Sequence, residues 1–303
     1  MAQNTRIYWI HVISPLHVGS GRGAGYVDLP IMREKVTGWP LVPGSAVKGV
    51  LADKYEATPD KRKTDPWIVA AFGRSDEAED RKANSGSLVF ADARIVCLPV
   101  RSLYGTFAWC ASPAVLRRLR RDFEMAGAGV ADLAADLSVR EDGALLPDGT
   151  ASVLAHDNRL YLEDLDFKTE ASSGAAAWAS RLAEWVFPGN DTWQKAFLER
   201  FTVLPDNAFN FLSETGTEVN ARVRLEDKTK TVASGALWYE EALPAETLLA
   251  GIVWCDRVFG NNGIQPAELM DRFCRDTTLQ MGGDATTGKG RVRLVFTKEG
   301  TDG

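Results

Sequence analysis

Two glycine-rich stretches, each joined directly to a strand-like run near one end of the chain, constrain the fold more than any other feature of the sequence. Residues 6–13 (Arg6-Ile7-Tyr8-Trp9-Ile10-His11-Val12-Ile13) are β-branched and aromatic and read as a buried strand. They run straight into a loop, 14–37, that carries Gly19, Gly21, Gly23 and Gly25. Near the other end, Met281-Gly282-Gly283-Asp284-Ala285-Thr286-Thr287-Gly288-Lys289-Gly290 precedes a last strand, 291–296. Glycine at this density supports no regular element, but it lets a backbone turn sharply or approach another group closely. Pro43-Gly44-Ser45 opens a helix with Ser45 as its expected N-cap and Val47, Val50 and Leu51 as its apolar stripe.

Between these ends the pattern predicts a short helix at 67–72, strands at 87–100 and 105–110, and a helix at 113–125. That last helix has Pro113 in its first turn and Arg117, Arg118, Arg120 and Arg121 on a solvated side. Residues 126–158 are rich in Ala, Gly and Asp and read as an irregular insertion. A strand at 159–167 and helices at 174–186 and 191–200 follow, so 126–200 is a helical and irregular insertion. From 210 to 234, two strand-like arms flank Glu226-Asp227-Lys228-Thr229 with few large apolar residues, as in a protruding hairpin. Residues 237–239 and 248–254 read as core strands and 265–274 as a helix. Strand, loop, helix and strand at one end, with strand, helix, loop and strand at the other, give an α+β fold with a split βαβ, ferredoxin-like core. No internal repeat or low-complexity linker divides residues 1–303, so a single elaborated domain is expected.

With 303 residues, 45% of them hydrophobic, the chain can bury a core of that size. No apolar run approaches the ~18 residues needed to span a bilayer. The N-terminus enters its first strand without a signal-peptide core, so no membrane partner and a cytoplasmic location are expected. Cys97, Cys110, Cys255 and Cys274 are scattered, which suits reduced, buried thiols rather than a zinc site or a disulfide framework. A net charge of −6 argues against a basic footprint over the whole surface. The acid is clustered, however, at 76–80 and 163–166. The glycine-rich segments carry Arg22, Arg33, Lys35, Lys48, Lys289, Arg291 and Arg293, which leaves room for a local basic groove.

Three places hold chemistry. Gly283 to Lys289 matches GxxxxGK, but Gly290 stands where a phosphate-binding loop needs Ser or Thr, and a strand follows instead of a helix. The other readings are a flexible turn between a helix and an edge strand, and a turn whose backbone amides face a phosphate with Lys289 and Arg291 adding charge. Asp28, in Val27-Asp28-Leu29-Pro30, either caps a turn, pairs with Arg33, or serves a phosphodiester together with His17. Ser45 and Lys48 lie at a helix N-terminus, which attracts anions, or are an ordinary cap and a solvated lysine.

Family resemblance bears on these choices. Ser14-Pro15-Leu16-His17-Val18-Gly19-Ser20-Gly21, Val27 to Glu34, and Thr37 to Gly49 resemble the N-terminal signature of the RAMP superfamily of CRISPR proteins. Pro99 to Trp109 with Ser112-Pro113, and Gly235 to Pro244, are similar to the backbone subunits of type III-B (Cmr) effector complexes. Leu279 to Gly290 resembles the C-terminal RAMP loop. The resemblance implies an RRM-like core with a β-hairpin thumb at 209–236, and copies stacked head to tail along a guide (CRISPR) RNA beside other subunits of the complex. It also implies an endoribonuclease that cuts paired target single-stranded RNA at regular intervals with a divalent metal ion, Mg2+ or Mn2+, or else a silent scaffold or a close type III-A-like variant. Asp28 is then the catalytic residue, holding the metal or orienting the attacking hydroxyl. His17 is an accessory candidate, followed by Glu240, Glu241 and Tyr239. Gly19, Ser20, Gly21, Arg22, Ser45, Lys48, Gly282, Gly283, Thr287, Gly288 and Lys289 hold the guide.

Overall fold

The computed structural model describes residues 4–21, 23, 27–74, 84–226, 232–260 and 263–297. Two strand–helix–strand units interleave at its centre. One comprises Thr5–Val12, Gly44–Lys54 and Ala93–Arg101; the other comprises Leu248–Trp254, Pro266–Phe273 and Arg291–Phe296. Their strands lie in the order 291–296, 5–12, 248–254, 93–101, with every neighbouring pair antiparallel. This is the split βαβ, ferredoxin-like arrangement.

The first strand shows why apolar residues fill successive positions from Ile7 to Ile10. Tyr8, Ile10 and Val12 pack on one face with Val47 and Leu51 of the first crossover helix and Leu269, Met270 and Phe273 of the second. Ile7 and Trp9 pack on the other with Leu116, Leu119 and Phe123 of the helix Pro113–Ala126 and Trp178 and Leu182 of the helix Ser173–Val186. Because side chains alternate along a strand, covering both faces requires an unbroken apolar run.

Residues 126–158, expected to be irregular, contribute the strand Gly143–Pro147 to the sheet. It lies between Phe201–Val203 and Leu165–Ser172. The insertion therefore extends the central sheet, and its helices cover the face that the crossover helices leave open.

Two local expectations are corrected. Ser45 is not the N-cap: Pro43 holds that position with φ −58°, and Asp92 Oδ1 accepts the first amide, Gly44 N, at 2.9 Å. The stretch read as the first hairpin arm begins with a helix, Asp206–Thr215, which buries Phe209 and Leu212. The hairpin itself pairs Glu218–Leu225 with Val232–Ala242 as a separate two-stranded sheet. Its expected turn at 226–229 falls mostly outside the described residues, as do Arg22 and the acidic cluster at 76–80. Among the described residues, no helix is long and apolar enough to cross a membrane.

Candidate functional site

A strand paired on one side only leaves the backbone groups of its other edge in need of partners. From Tyr239 to Leu243, the second hairpin strand finds them in the first glycine loop. Tyr239 N donates to Asp28 Oδ2 at 2.7 Å. Asp28 N and Leu29 N both donate to Tyr239 O, at 3.1 and 3.0 Å, and Glu241 N donates to Leu29 O at 3.0 Å. Leu16 and Leu243 exchange two bonds of 2.8 Å. His17 Nδ1 lies 2.6 Å from Glu241 O. A carbonyl only accepts, so Nδ1 carries a proton. The backbone groups that hold Asp28 and His17 are thus two residues apart on one strand, about 7 Å.

The loop also folds on itself. Ser20 N donates to Pro30 O at 3.0 Å and Met32 N to Val18 O at 2.8 Å, which leaves Asp28 exposed at the hairpin root. The alternative pairing of Asp28 with Arg33 is not formed. Arg33 Nη2 bonds Glu241 Oε1 at 2.5 Å, and Arg33 Nη1 donates to Gly38 O and Ser213 O at 2.8 and 3.0 Å. Farther on, Arg118 grips Glu34 with two bonds of 2.6 and 2.7 Å and lies over the Trp39 ring, so this arginine is not part of a solvated face. Those bonds hold the Glu34 carboxyl at about 2, well below its usual value.

Glu240 and Glu241 are neighbours with opposite surroundings. Glu241 is buried, and both its oxygens tie the loop to the hairpin: Oε2 accepts Ile31 N at 3.0 Å, and Oε1 accepts Thr217 Oγ1 at 2.8 Å in addition to Arg33. Glu240, on the other face, is 2% exposed and meets the ammonium of Lys289, itself 6% exposed, with Arg222 Nε 3.5 Å from its second oxygen. Asp284 also hydrogen-bonds Glu240. Burial raises the Asp284 carboxyl first, and the hydrogen bond and charge of Glu240 raise it further. Burial acts upward on Glu240 too, but the bonds from Lys289 and Asp284 leave it net lowered. Nothing in the sequence marked Asp284 beyond its place inside the GxxxxGK match.

The two glycine loops interlock around His17. Gly283 N donates to His17 O at 2.9 Å, and Gly290 N to Pro15 O at 2.8 Å. A Cβ on Gly282 would lie 2.1 Å from His17 O, and one on Gly19 2.9 Å from His17 Nε2. These glycines have a packing reason independent of any ligand. Thr287 bonds back to Asp284 O within a single 3-10 turn, and a strand follows, so the segment lacks the helix of a nucleotide-binding loop. Gly288 and Gly21 have open space at their Cβ positions. Ser45 and Lys48 lie elsewhere, on the helix beside Leu88 and Asp92. Lys48 Nζ donates to Leu88 O at 2.7 Å, and burial lowers its pKa.

Among the described residues, no three His, Cys, Asp or Glu side chains cluster as a metal cage. Asp28 and Asp284 are exposed carboxylates of the two glycine loops, but neither belongs to such a cluster, so these residues do not by themselves fit a resident divalent ion.

The RAMP superfamily profile matches residues 9–293. The chain is 33% identical over 289 residues to the CRISPR system Cmr endoribonuclease Cmr4 of Pyrococcus furiosus, covering 95% of this chain and 94% of that protein. A crystal structure of oligomeric Cmr4 from the same organism superimposes with a TM-score of 0.71 at 26% identity, covering 97% and 98% of the two chains. A chain in the cryo-EM structure of type III-B Cmr-beta bound to cognate target RNA has the same fold, with a TM-score of 0.70 at 20% identity and 96% of each chain covered.

Proposed function

The chain belongs to the RAMP superfamily, and on that premise we propose that it is a backbone subunit of a type III-B CRISPR effector complex. In this reading, copies pack head to tail along a guide RNA, beside other subunits, in the cytoplasm, and cut the complementary target RNA. The observation that carries the reading is the placement of Asp28, an exposed carboxylate hydrogen-bonded to the root of a protruding hairpin. One face of that hairpin is apolar and open: Val219, Val223, Leu237 and Tyr239 are each more than 40% exposed. Among the described residues, nothing covers this face. Inserted between bases it would be covered, with the Tyr239 ring as a stacking surface.

A wedge that displaces one nucleotide frees the adjoining linkage to rotate. The ribose 2′-oxygen then attacks the neighbouring phosphorus in line, its proton passing to solvent, and the 5′-oxygen leaves and takes a proton from water, giving a 2′,3′-cyclic phosphate and a 5′-hydroxyl. Asp28 orients the attacking hydroxyl by accepting its hydrogen bond, and the Tyr239 amide fixes the carboxylate for that task. Because the nucleophile belongs to the substrate, RNA is cut and DNA is not. A divalent ion such as Mg2+ or Mn2+, were one recruited with the RNA, would be held on the protein side by Asp28 and would supply positive charge beside the phosphate.

The test is a complex assembled with guide RNA and offered complementary RNA or DNA. Cuts in RNA alone, leaving cyclic phosphate ends, are expected. An intact target on a complex that retains its guide would establish a scaffold without cleavage.

A further inference from the structure

The pair formed by Lys289 and Glu240 joins two parts of the chain that the proposed reaction needs in fixed relation. Glu240 lies on the hairpin strand between Tyr239, whose backbone holds Asp28, and Glu241, whose carbonyl holds His17. Lys289 lies on the C-terminal glycine loop, beside Gly290, whose amide bonds Pro15 O. Arg222 reaches the second oxygen of Glu240 from the opposite hairpin strand, and Asp284 reaches the carboxylate from the same loop as Lys289. Both members of the pair are almost wholly buried. For Lys289 to reach a phosphate, its ammonium would have to abandon a buried carboxylate, which is strongly unfavourable.

We propose that Lys289 and Glu240 are positioning residues for Asp28, a buried latch between the hairpin root and the glycine loops, and that Lys289 makes no contact with RNA. The latch acts through the strand. If Glu240 shifts, the Tyr239 amide and the Glu241 carbonyl shift with it, and Asp28 and His17 lose their anchors. This rests on the cleavage reading above for its effect on rate, but not for the geometry.

The experiment compares wild type, Glu240→Gln, Lys289→Met and the double variant in the complex assembled with guide RNA. Three readouts are taken: single-turnover cutting, the salt dependence of guide retention, and hydrogen exchange at the Tyr239 amide. Each single variant is expected to cut about 10- to 100-fold more slowly and to speed exchange at Tyr239, with guide retention and its salt dependence unchanged. The double variant is expected to be less impaired than the product of the two single effects, because no unpaired buried charge remains.

A lysine that binds phosphate gives opposite results. Lys289→Met would then weaken guide retention and lower its salt slope by about one, and Glu240→Gln would free the ammonium and tighten retention. Either result overturns the proposal, as do single effects that simply multiply. Gln keeps the shape of Glu240, so Glu240→Gln decides the matter even where Lys289→Met fails to fold. If the wild-type complex holds its guide without cutting, the cleavage reading alone fails. The latch is then decided by Tyr239 exchange and the salt slope.

Discussion

Asp28 and Tyr239, 211 residues apart in sequence, exchange two hydrogen bonds: the Tyr239 amide donates to Asp28 Oδ2 at 2.7 Å, and Asp28 N donates to Tyr239 O at 3.1 Å. The carboxylate is therefore both exposed and aimed. Asparagine at this position retains an oxygen for the Tyr239 amide but loses the charge. Asp28→Asn is expected to fold, assemble and bind target as wild type does, while single-turnover cutting falls by about 100-fold or more. Asp28→Ala loses the side-chain bond as well and should cost about 1 kcal/mol of stability besides. Cutting by Asp28→Asn at the wild-type rate would remove the catalytic role.

Gly282 and Gly288 share a left-handed backbone, with φ of +75° and +85°, but not their surroundings. A methyl group on Gly282 would strike the His17 carbonyl at 2.1 Å, whereas Gly288 faces open space. Gly282→Ala is expected to cost about 2–4 kcal/mol from strain plus overlap, and Gly288→Ala about 1 kcal/mol from strain alone. Denaturant midpoints would check the difference. Equal costs would mean that the loops do not interlock as described.

The bidentate Arg118–Glu34 pair braces the loop that carries Asp28. The folded-state value of Glu34 is depressed from 4.5 to about 2 by the Arg118 bonds. Its contribution is therefore fully present above about 4.5 and lost as pH falls from there to about 2. Arg118→Ala should cost about 1 kcal/mol at neutral pH, a modest figure because the pair is partly open to solvent. The gap from wild type should close on acidification across that window. A gap independent of pH would assign the cost to lost packing on Trp39 instead.

Much of the core was legible because local pattern and burial agree. The mostly apolar run 6–13 contains a strand covered on both faces, and the two strand, helix and loop orders interleave as the ferredoxin-like pattern requires. What was illegible depends on distant contacts. The helix 206–215 was hidden because Phe211, which is exposed, stands between the inward Phe209 and Leu212 and gives the stretch the alternation of a strand. The adjacent carboxylates of Glu240 and Glu241 look equivalent in sequence. Strand alternation sends one to Lys289 and the other to Arg33, and only the fold brings those cations to opposite faces. Lys289 looked like a phosphate ligand because nothing local reveals that a residue 49 positions away neutralises it.

Asp284 makes the same cluster sensitive to pH. Its carboxyl is raised first by burial, then by its hydrogen bond to Glu240 and by that group's charge, while the Lys289 ammonium and the His17 ring pull the other way. Arg222 faces Glu240 from the neighbouring strand and helps keep the negative charge there. An acid whose folded value is raised contributes stability that is fully present below its unfolded value. That contribution is lost as pH rises through the folded value. The loop 281–290 is therefore expected to hold most tightly in acid and to loosen as Asp284 ionises beside Glu240. The bond from Gly283 N to His17 O reports this directly, so its exchange, corrected for the intrinsic rate, should speed up over that interval. Asp284→Asn can still hydrogen-bond Glu240 but cannot ionise. It should match wild type at the acid end, protect Gly283 better at neutral pH, and flatten the dependence between them. A wild-type profile as flat as that of Asp284→Asn would show that Asp284 and Glu240 do not share the proton.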